Sequence, residues 1–171
     1  MVHKPQRDDI IIGREGMKIR KIDIREVPVI QAIINQYAKR GKLLPRALGD
    51  IYENIRDYFI AEIDGKIVGC CALHIVWEDI AEIKSLAVLK EFSGQGIGSE
   101  LLDSALKEAK SLGIIKVFAL TYKQNFFSKR GFKVIPSSSL PHKIWGECIR
   151  CPLFPNCKEV AMEYIIEDVT E

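Results

Sequence analysis

The residues best suited to chemistry lie on one predicted strand, directly before a glycine-rich turn. Glu82 and Lys84 are two positions apart in an alternating run, so a β-strand directs both side chains to the same face. A carboxylate can accept a proton, and an ammonium group can bind an anionic ligand. This pattern is typical of a strand that borders a site.

The turn has glycine at every second position and leads into a long amphipathic helix. Apolar residues recur at helical spacing from Leu101 to Leu112, and Gly113 provides a stop. The backbone N–H groups of such a turn are not shielded by side chains, and the positive end of the helix dipole lies behind them. The turn therefore predicts a phosphate or pyrophosphate site. Its residues are Ser93, Gly94, Gln95, Gly96, Ile97, Gly98 and Ser99.

Two common phosphate-binding motifs do not fit this turn. A P-loop requires Gly-Lys-Ser/Thr after its glycines, and no such sequence follows Gly98. The dinucleotide-binding fingerprint requires its third glycine one position later, in the first βαβ unit. Taken alone, the turn is equally compatible with an ordinary strand-to-helix connection.

The remaining periodicities predict a mixed β-sheet flanked by helices. We expect about six or seven strands with helices on both faces. Asp23 and Glu26 predict a capping-box variant at the first helix, and Asp64-Gly65 predicts a hairpin turn. The segment 136–158 is predicted to be irregular. The predicted strands are 18–22, 57–64, 66–77, 82–88, 114–121, 132–134 and 160–166.

Composition limits the class of protein. A chain of 171 residues suggests one domain over 17–171, after a lead-in segment over 1–16. The net charge of +2 argues against a nucleic-acid or membrane partner. No apolar run approaches the ~20 residues of a membrane span, and the first residues lack the apolar block of a signal peptide. We therefore expect a cytoplasmic protein, in which five cysteines do not form a disulfide framework.

The spacing Ser93-x-x-Gly96-x-Gly98, between this strand and this helix, resembles the acetyl-CoA loop of the GCN5-related N-acetyltransferase (GNAT) superfamily. The likeness extends over about residues 17–166 and implies the three-layer α+β fold of that superfamily, with a mixed, largely antiparallel sheet. It implies acetyl-CoA as co-substrate, no other cofactor, and acetyl transfer by direct attack of an amine on the thioester. The backbone of 93–99, together with Leu86 and Val88, would bind acetyl-CoA. The family usually has Gln or Arg where this chain has Ser93, but the backbone amides do not depend on that side chain.

The resemblance also assigns catalytic roles. Glu82 lies fourteen residues before Gly96, where histone-type members have their general base. Without the resemblance, a solvated carboxylate at the strand end would be the simpler interpretation. The leaving-group acid of many relatives is a tyrosine, and Phe127 occupies that position here. Tyr122 is close in sequence but does not match the position, so we expect the thiolate to leave unassisted.

Several stretches resemble one branch, the acetyltransferase domain of the N-acetylglutamate synthases. This likeness implies L-glutamate as the acceptor, in the first step of arginine biosynthesis. The two carboxylates of L-glutamate would be bound by Arg46, Lys84 and Lys123, although lysine at 123 loses the bidentate geometry of arginine. The stretches are Leu43–Arg46, Cys71–His74, Glu82 with Lys84, Val117–Tyr122, Phe126–Phe127 and Arg130–Phe132.

Other functions stay open at this point. The same fold could acetylate another small amine or a protein N-terminus, or could act as a non-catalytic acetyl-CoA-binding sensor. A cationic acceptor would favour acidic residues in place of Arg46, Lys84 and Lys123. A homodimer is plausible. The chain leaves no room for the arginine-sensing kinase domain of the longer enzymes, so we do not expect that route of feedback inhibition.

A cysteine-rich segment precedes the last predicted strand, 160–166. Cys148, Cys151 and Cys157, with His142 upstream, have the ligand types of a tetrahedral zinc site. The usual second Cys pair is missing, so reduced thiols without metal are the alternative. We assign this segment a structural role and no part in catalysis.

Overall fold

The computed structural model describes residues 11–12, 16–151 and 158–167, which contain five α-helices and eight β-strands. The helices are α1 (Val27–Ala38), α2 (Leu48–Glu53), α3 (Ile97–Ser111), α4 (Gln124–Ser128) and α5 (His142–Arg150). The strands are β1 (Ile11–Ile12), β2 (Met17–Lys21), β3 (Tyr58–Ile63), β4 (Lys66–Ile75), β5 (Ile80–Val88), β6 (Lys116–Thr121), β7 (Lys133–Val134) and β8 (Val160–Ile165).

The strands form one mixed sheet in the order β1-β2-β3-β4-β5-β6-β8-β7. β5 and β6 pair in parallel, with Glu82 opposite Phe118. The ladders β1–β2, β2–β3, β3–β4, β6–β8 and β7–β8 are antiparallel. The predicted α+β class with a largely antiparallel sheet is therefore confirmed.

The chain forms two compact units. The first comprises Met1–Ala72 and Ser85–Ala105. In its core, the apolar stripe of α1 packs with side chains of α2, β3 and β4, because the residues of the stripe recur at helical spacing. The buried residues of this cluster are Val27, Ile30, Ile33, Ile34, Ile51, Tyr58, Ile60, Cys70, Ala72 and Ala87.

The second unit comprises Leu73–Lys84 and Leu106–Glu171. One of its apolar clusters joins β6, β8 and α5 with Val76, the residue after β4, and its largest fully buried side chain is Phe118. The buried residues of this cluster are Val76, Phe118, Leu140, Ile144 and Ala161. α5 is therefore fixed to the sheet by apolar contacts on one side.

Two local signals in the sequence are confirmed. Asp23 and Glu26 form the capping box, at a short 3₁₀ turn that leads into α1. Arg20 donates to both carboxylate oxygens of Glu26, at 2.9 and 2.6 Å, and this contact lowers the pKa of Glu26. Asp64 and Gly65 both have positive φ, as a two-residue hairpin turn requires.

The prediction of an irregular segment over 136–158 is wrong for its central part, where α5 forms. Pro141 directly precedes this helix, a position at which proline does not interrupt the hydrogen bonding. Ile144 and Cys148 are four residues apart and share the apolar face of α5. Residues 152–157 lie outside the described part of the chain. Among the described residues, no helix is both long and apolar enough to span a bilayer.

Candidate active site

Glu82 and Lys84 form an ion pair on β5. The Nζ atom of Lys84 is 3.5 Å from Oε2 of Glu82. The side chain of Lys84 is 11% exposed and that of Glu82 is 8% exposed. Glu82 is thus a buried carboxylate and not the solvated strand-end residue of the simpler interpretation. Because little of either side chain is exposed, water screens this pair less than it screens ion pairs at the surface.

Lys84 has a second carboxylate partner, which the sequence does not reveal. Its Nζ donates to Oε1 and Oε2 of Glu147 at 3.2 and 3.0 Å. Glu147 belongs to α5, within the segment predicted to have only a structural role. The helical spacing of Ile144 and Cys148 is the local signal that could have indicated α5. No local pattern in the sequence connects Glu147 to Lys84.

β5 contains a residue in the left-handed backbone region. Ser85 has a φ of 53°, which is unusual for a residue other than glycine and is typical of a β-bulge or a functional constraint. Its carbonyl accepts a hydrogen bond from Cys70 Sγ at 3.3 Å, and its side chain shares one with the Tyr58 hydroxyl. Burial raises the pKa of Tyr58. These buried contacts hold Ser85 in its strained conformation.

The glycine-rich turn has the geometry of an anion site. Gly94 and Gly96 have φ values of 77° and 82°, and a β-carbon added at Gly94 would meet no atom within 4 Å. In α3 the Glu100 N–H donates to the Gly96 carbonyl, so the N–H groups of Ile97, Gly98 and Ser99 have no intrahelical acceptor, whereas the Ser93 N–H donates to the Lys90 carbonyl at 3.1 Å. The exposed backbone of this turn fits the pyrophosphate of acetyl-CoA.

The end of β5 before this turn is held by two hydrogen bonds. The Tyr37 hydroxyl of α1 donates to the Val88 carbonyl, and the Leu89 N–H donates to the Val68 carbonyl at 2.8 Å. Leu86 and Val88, which were predicted to bind acetyl-CoA, are half-buried. The turn therefore begins from a fixed strand end.

Arg46 lies between α1 and α2, and α1 holds its main chain from both directions. Its N–H donates to Asn35 Oδ1 at 3.1 Å, and its carbonyl accepts from Gln31 Nε2 at 3.1 Å. The side chain is half-buried and is close enough to Tyr58 to lower the pKa of that hydroxyl, against the larger effect of burial. The two amide residues of α1 were not identified from the sequence.

Lys123 and Phe127 lie at either end of α4. The Lys123 N–H donates to Thr121 Oγ1 at 2.8 Å, while its side chain is exposed and makes no ion pair with Glu82 in the described structure. Phe127 is 5% exposed and packs edge-on against Phe126 and Phe132, with ring centroids 5.2 and 5.1 Å away. The position of the family tyrosine is therefore filled by a core side chain.

The predicted zinc ligands are only partly described. Cys148 and Cys151 are half-buried cysteines outside any disulfide, and His142 is the first residue of α5, whereas Cys157 lies outside the described residues. Within the described residues, no group of three or more His, Cys, Asp or Glu side chains could hold a metal ion.

Comparison with known proteins identifies the family. Residues 30–132 match the model of the Acetyltransferase (GNAT) family, which is more than half of the chain. This chain belongs to the GNAT acetyltransferase family. As a GNAT protein it is an N-acetyltransferase that uses acetyl-CoA as its co-substrate.

Three similar proteins show how this chain relates to known acetyltransferases. An uncharacterized N-acetyltransferase of Chlorobaculum tepidum is 39% identical over 84% of this chain and 93% of its own length. An amino-acid acetyltransferase of Mycobacterium tuberculosis is 35% identical over 77% of each chain. The structure of N-acetylglutamate synthase from Neisseria gonorrhoeae, complexed with coenzyme A and N-acetyl-glutamate, superposes with a TM-score of 0.82 and 27% identity. That superposition covers 89% of this chain but only 35% of the synthase.

Proposed function

We propose that this enzyme acetylates the α-amine of L-glutamate. The observation that carries the proposal is the buried pair of Glu82 and Lys84 on β5, the strand that runs into the glycine-rich turn. A base and an anion-binding cation side by side suit an amine substrate that also bears a carboxylate. Relatives named amino-acid acetyltransferases add support to an amino-acid acceptor.

Glu82 acts as the general base in this proposal. An α-ammonium group must lose a proton before its nitrogen can attack a carbonyl carbon, and Glu82 accepts that proton directly or through a water molecule. Acetyl-CoA supplies the activated acetyl group as a thioester. The N–C bond forms as the C–S bond breaks, and the nitrogen releases its second proton to solvent. The thiolate leaves without protonation by an acid because Phe127 has no proton to donate.

Arg46, Lys84 and Lys123 bind the acceptor carboxylates in this proposal. Glutamate carries two carboxylates, and a guanidinium or ammonium group is the partner that binds each one most strongly in proteins. A polyamine or an aminoglycoside would instead be repelled by these cations. Residues 17–171 then act as one N-acetyltransferase domain, in which the backbone of 93–99 binds the donor.

The test is turnover of acetyl-CoA, followed by thiol release, against a panel of acceptors. The panel contains L-glutamate, L-glutamine, L-aspartate, spermidine and a peptide with a free N-terminus. We expect saturable activity with L-glutamate and little with spermidine. Faster turnover of a cationic acceptor would contradict the proposal. Tight acetyl-CoA binding without turnover of any acceptor would indicate a sensor.

Glu82→Gln tests the role of the base. We expect kcat with L-glutamate to fall by about 10²–10⁴-fold, the usual contribution of general base catalysis, while acetyl-CoA binding is retained. Glu78→Gln is the control, since Glu78 is an exposed carboxylate in the turn between β4 and β5. A Glu82→Gln enzyme with kcat near that of the control would exclude Glu82 as the base.

A further inference from the structure

Lys84 holds two carboxylates that differ sharply in exposure. The side chain of Glu82 is 8% exposed, whereas that of Glu147 is 52% exposed, and the lysine between them is 11% exposed. Glu147 therefore covers the ammonium group from the solvent side, and Glu82 contacts it from the protein interior. A carboxylate ligand arriving from solvent would meet Glu147 first.

The position of Glu147 is set by the packing of α5. Ile144, three residues earlier, is 3% exposed, and Cys148, the next residue, packs against the same apolar cluster. These contacts fix the helix while the Glu147 side chain extends from it toward Lys84. The ion pair is thus a feature of a packed element and not of a loose surface side chain.

We propose that Glu147 is a specificity-determining residue that occupies the acceptor-carboxylate position on Lys84 until the acceptor displaces it. The inference rests on the proposed function, because it assumes that Lys84 binds a carboxylate of the acceptor. Both oxygens of Glu147 contact Nζ, and a carboxylate of the substrate can make the same two contacts.

Displacement of Glu147 from Lys84 is favourable only for an acceptor that carries a carboxylate. Glu82, Glu147 and Lys84 together carry one net negative charge, which repels a second anion while Glu147 remains in place. When Glu147 turns into solvent its carboxylate is rehydrated, so displacement costs no more than an exposed ion pair contributes. An amine without a carboxylate cannot replace the contacts that Lys84 would lose.

Glu147→Gln removes the competing charge and keeps the size of the side chain. An exposed pair contributes about 0.2–1 kcal/mol, so we expect the KM for L-glutamate to fall about 1.5- to fivefold. The KM for acetyl-CoA should not change. The dissociation constant of N-acetyl-L-glutamate, measured by calorimetry, should fall by a similar factor. Glu163→Gln is the matched control, because Glu163 forms a 3.5 Å ion pair with Lys116 elsewhere in the sheet.

The outcomes separate this inference from the proposed function. If the wild-type enzyme turns over L-glutamate and Glu147→Gln leaves its KM unchanged, Glu147 does not compete for the acceptor site. If the KM rises instead, Glu147 binds the acceptor ammonium group and the inference is wrong. If neither enzyme acetylates L-glutamate, the proposed function itself fails.

Discussion

Arg46 and Lys84, two of the cations proposed to bind the acceptor, are held in different ways. Lys84 is fixed through its side chain, by carboxylates on β5 and α5. Arg46 is fixed through its main chain, by the amide side chains of Gln31 and Asn35 on α1. Among the described residues no carboxylate pairs with the Arg46 guanidinium, so it can bind an anion without first losing a partner. Arg46 should therefore contribute more acceptor affinity than Lys84.

Arg46→Ala tests this difference. A charge-assisted hydrogen bond contributes about 1.5–3 kcal/mol, so we expect the KM for L-glutamate to rise about 10- to 150-fold. Arg46→Lys should recover part of that loss, because it retains the charge but not the bidentate geometry. Arg40→Ala, at an exposed arginine just after α1, is the control. Equal KM values for Arg46→Ala and Arg40→Ala would exclude Arg46 from the acceptor site.

Local sequence patterns predicted some of these residues and not others. The alternation of Glu82 and Lys84 follows from strand geometry, and the structure confirms that the two side chains meet. Glu147 is sixty-three residues from Lys84, so no local period relates them. Gln31 and Asn35 are polar residues on a helix, and their contacts with Arg46 depend on the path of the chain after α1.

At the scale of elements, the glycine-rich turn connects a fixed strand to a fixed helix. The Val88 carbonyl accepts from Tyr37 at one end, and Ile97 is 2% exposed at the other. Gly94 and Gly96 absorb the change of direction with left-handed backbone. The turn is thus a preorganised segment, and in the proposed complex this limits the entropy lost when its N–H groups bind the pyrophosphate of acetyl-CoA.

Gly94→Ala and Gly49→Ala form a matched pair that tests this preorganisation. Neither added β-carbon meets an atom within 4 Å, but only Gly94 has a positive φ, of 77°. We expect Gly94→Ala to weaken acetyl-CoA binding and to lower the free energy of unfolding by about 1–2 kcal/mol. Gly49→Ala, within α2, should leave acetyl-CoA binding unchanged and stabilise by up to about 1 kcal/mol. Calorimetry and urea unfolding measure both quantities, and equal effects of the two changes would contradict the role of the left-handed turn.

The prediction of elements succeeded where periodicity or capping was strong. The capping box at Asp23, the Asp64-Gly65 hairpin and the long α3 are all present. α5 was missed because Gly146, Cys148 and the adjoining Cys151 give this stretch the composition of a loop, and its nine residues are too short for a clear helical period. Its apolar face becomes informative only once β6 and β8 are known to pack against it.

At the scale of the whole molecule, the described cysteines fall into two classes. Cys70 and Cys71 are fully buried on β4, and burial raises the pKa of Cys70 to about 12 and that of Cys71 further. Cys148 and Cys151 are half-buried. Thiol reagents react only with a thiolate that they can reach. Modification of Cys70 and Cys71 therefore reports unfolding, whereas modification of Cys148 and Cys151 reports exposure in the native state.

Thiol labelling at pH 8 tests this division. We expect a disulfide reagent to modify Cys148 and Cys151 within minutes, while Cys70 and Cys71 react only at the rate at which the native structure opens. Peptide mapping by mass spectrometry identifies the modified thiols. Rapid modification of Cys70 or Cys71 in the absence of denaturant would show that the reagent reaches the thiols of β4 in the native structure. Addition of urea should accelerate these two sites selectively.

The same burial makes stability depend on alkaline pH. A thiol whose pKa is raised by folding contributes its full stability below the unfolded pKa of 9.0, and this contribution is lost as pH rises toward about 12. In that pH range each such thiol lowers the free energy of unfolding by about 1.4 kcal/mol per pH unit, in addition to the contributions of lysine and tyrosine. Cys70→Ala should therefore unfold with a shallower alkaline slope than the wild-type protein. Urea unfolding at a series of pH values measures both slopes, and identical slopes for wild type and Cys70→Ala would mean that this thiol ionises without unfolding.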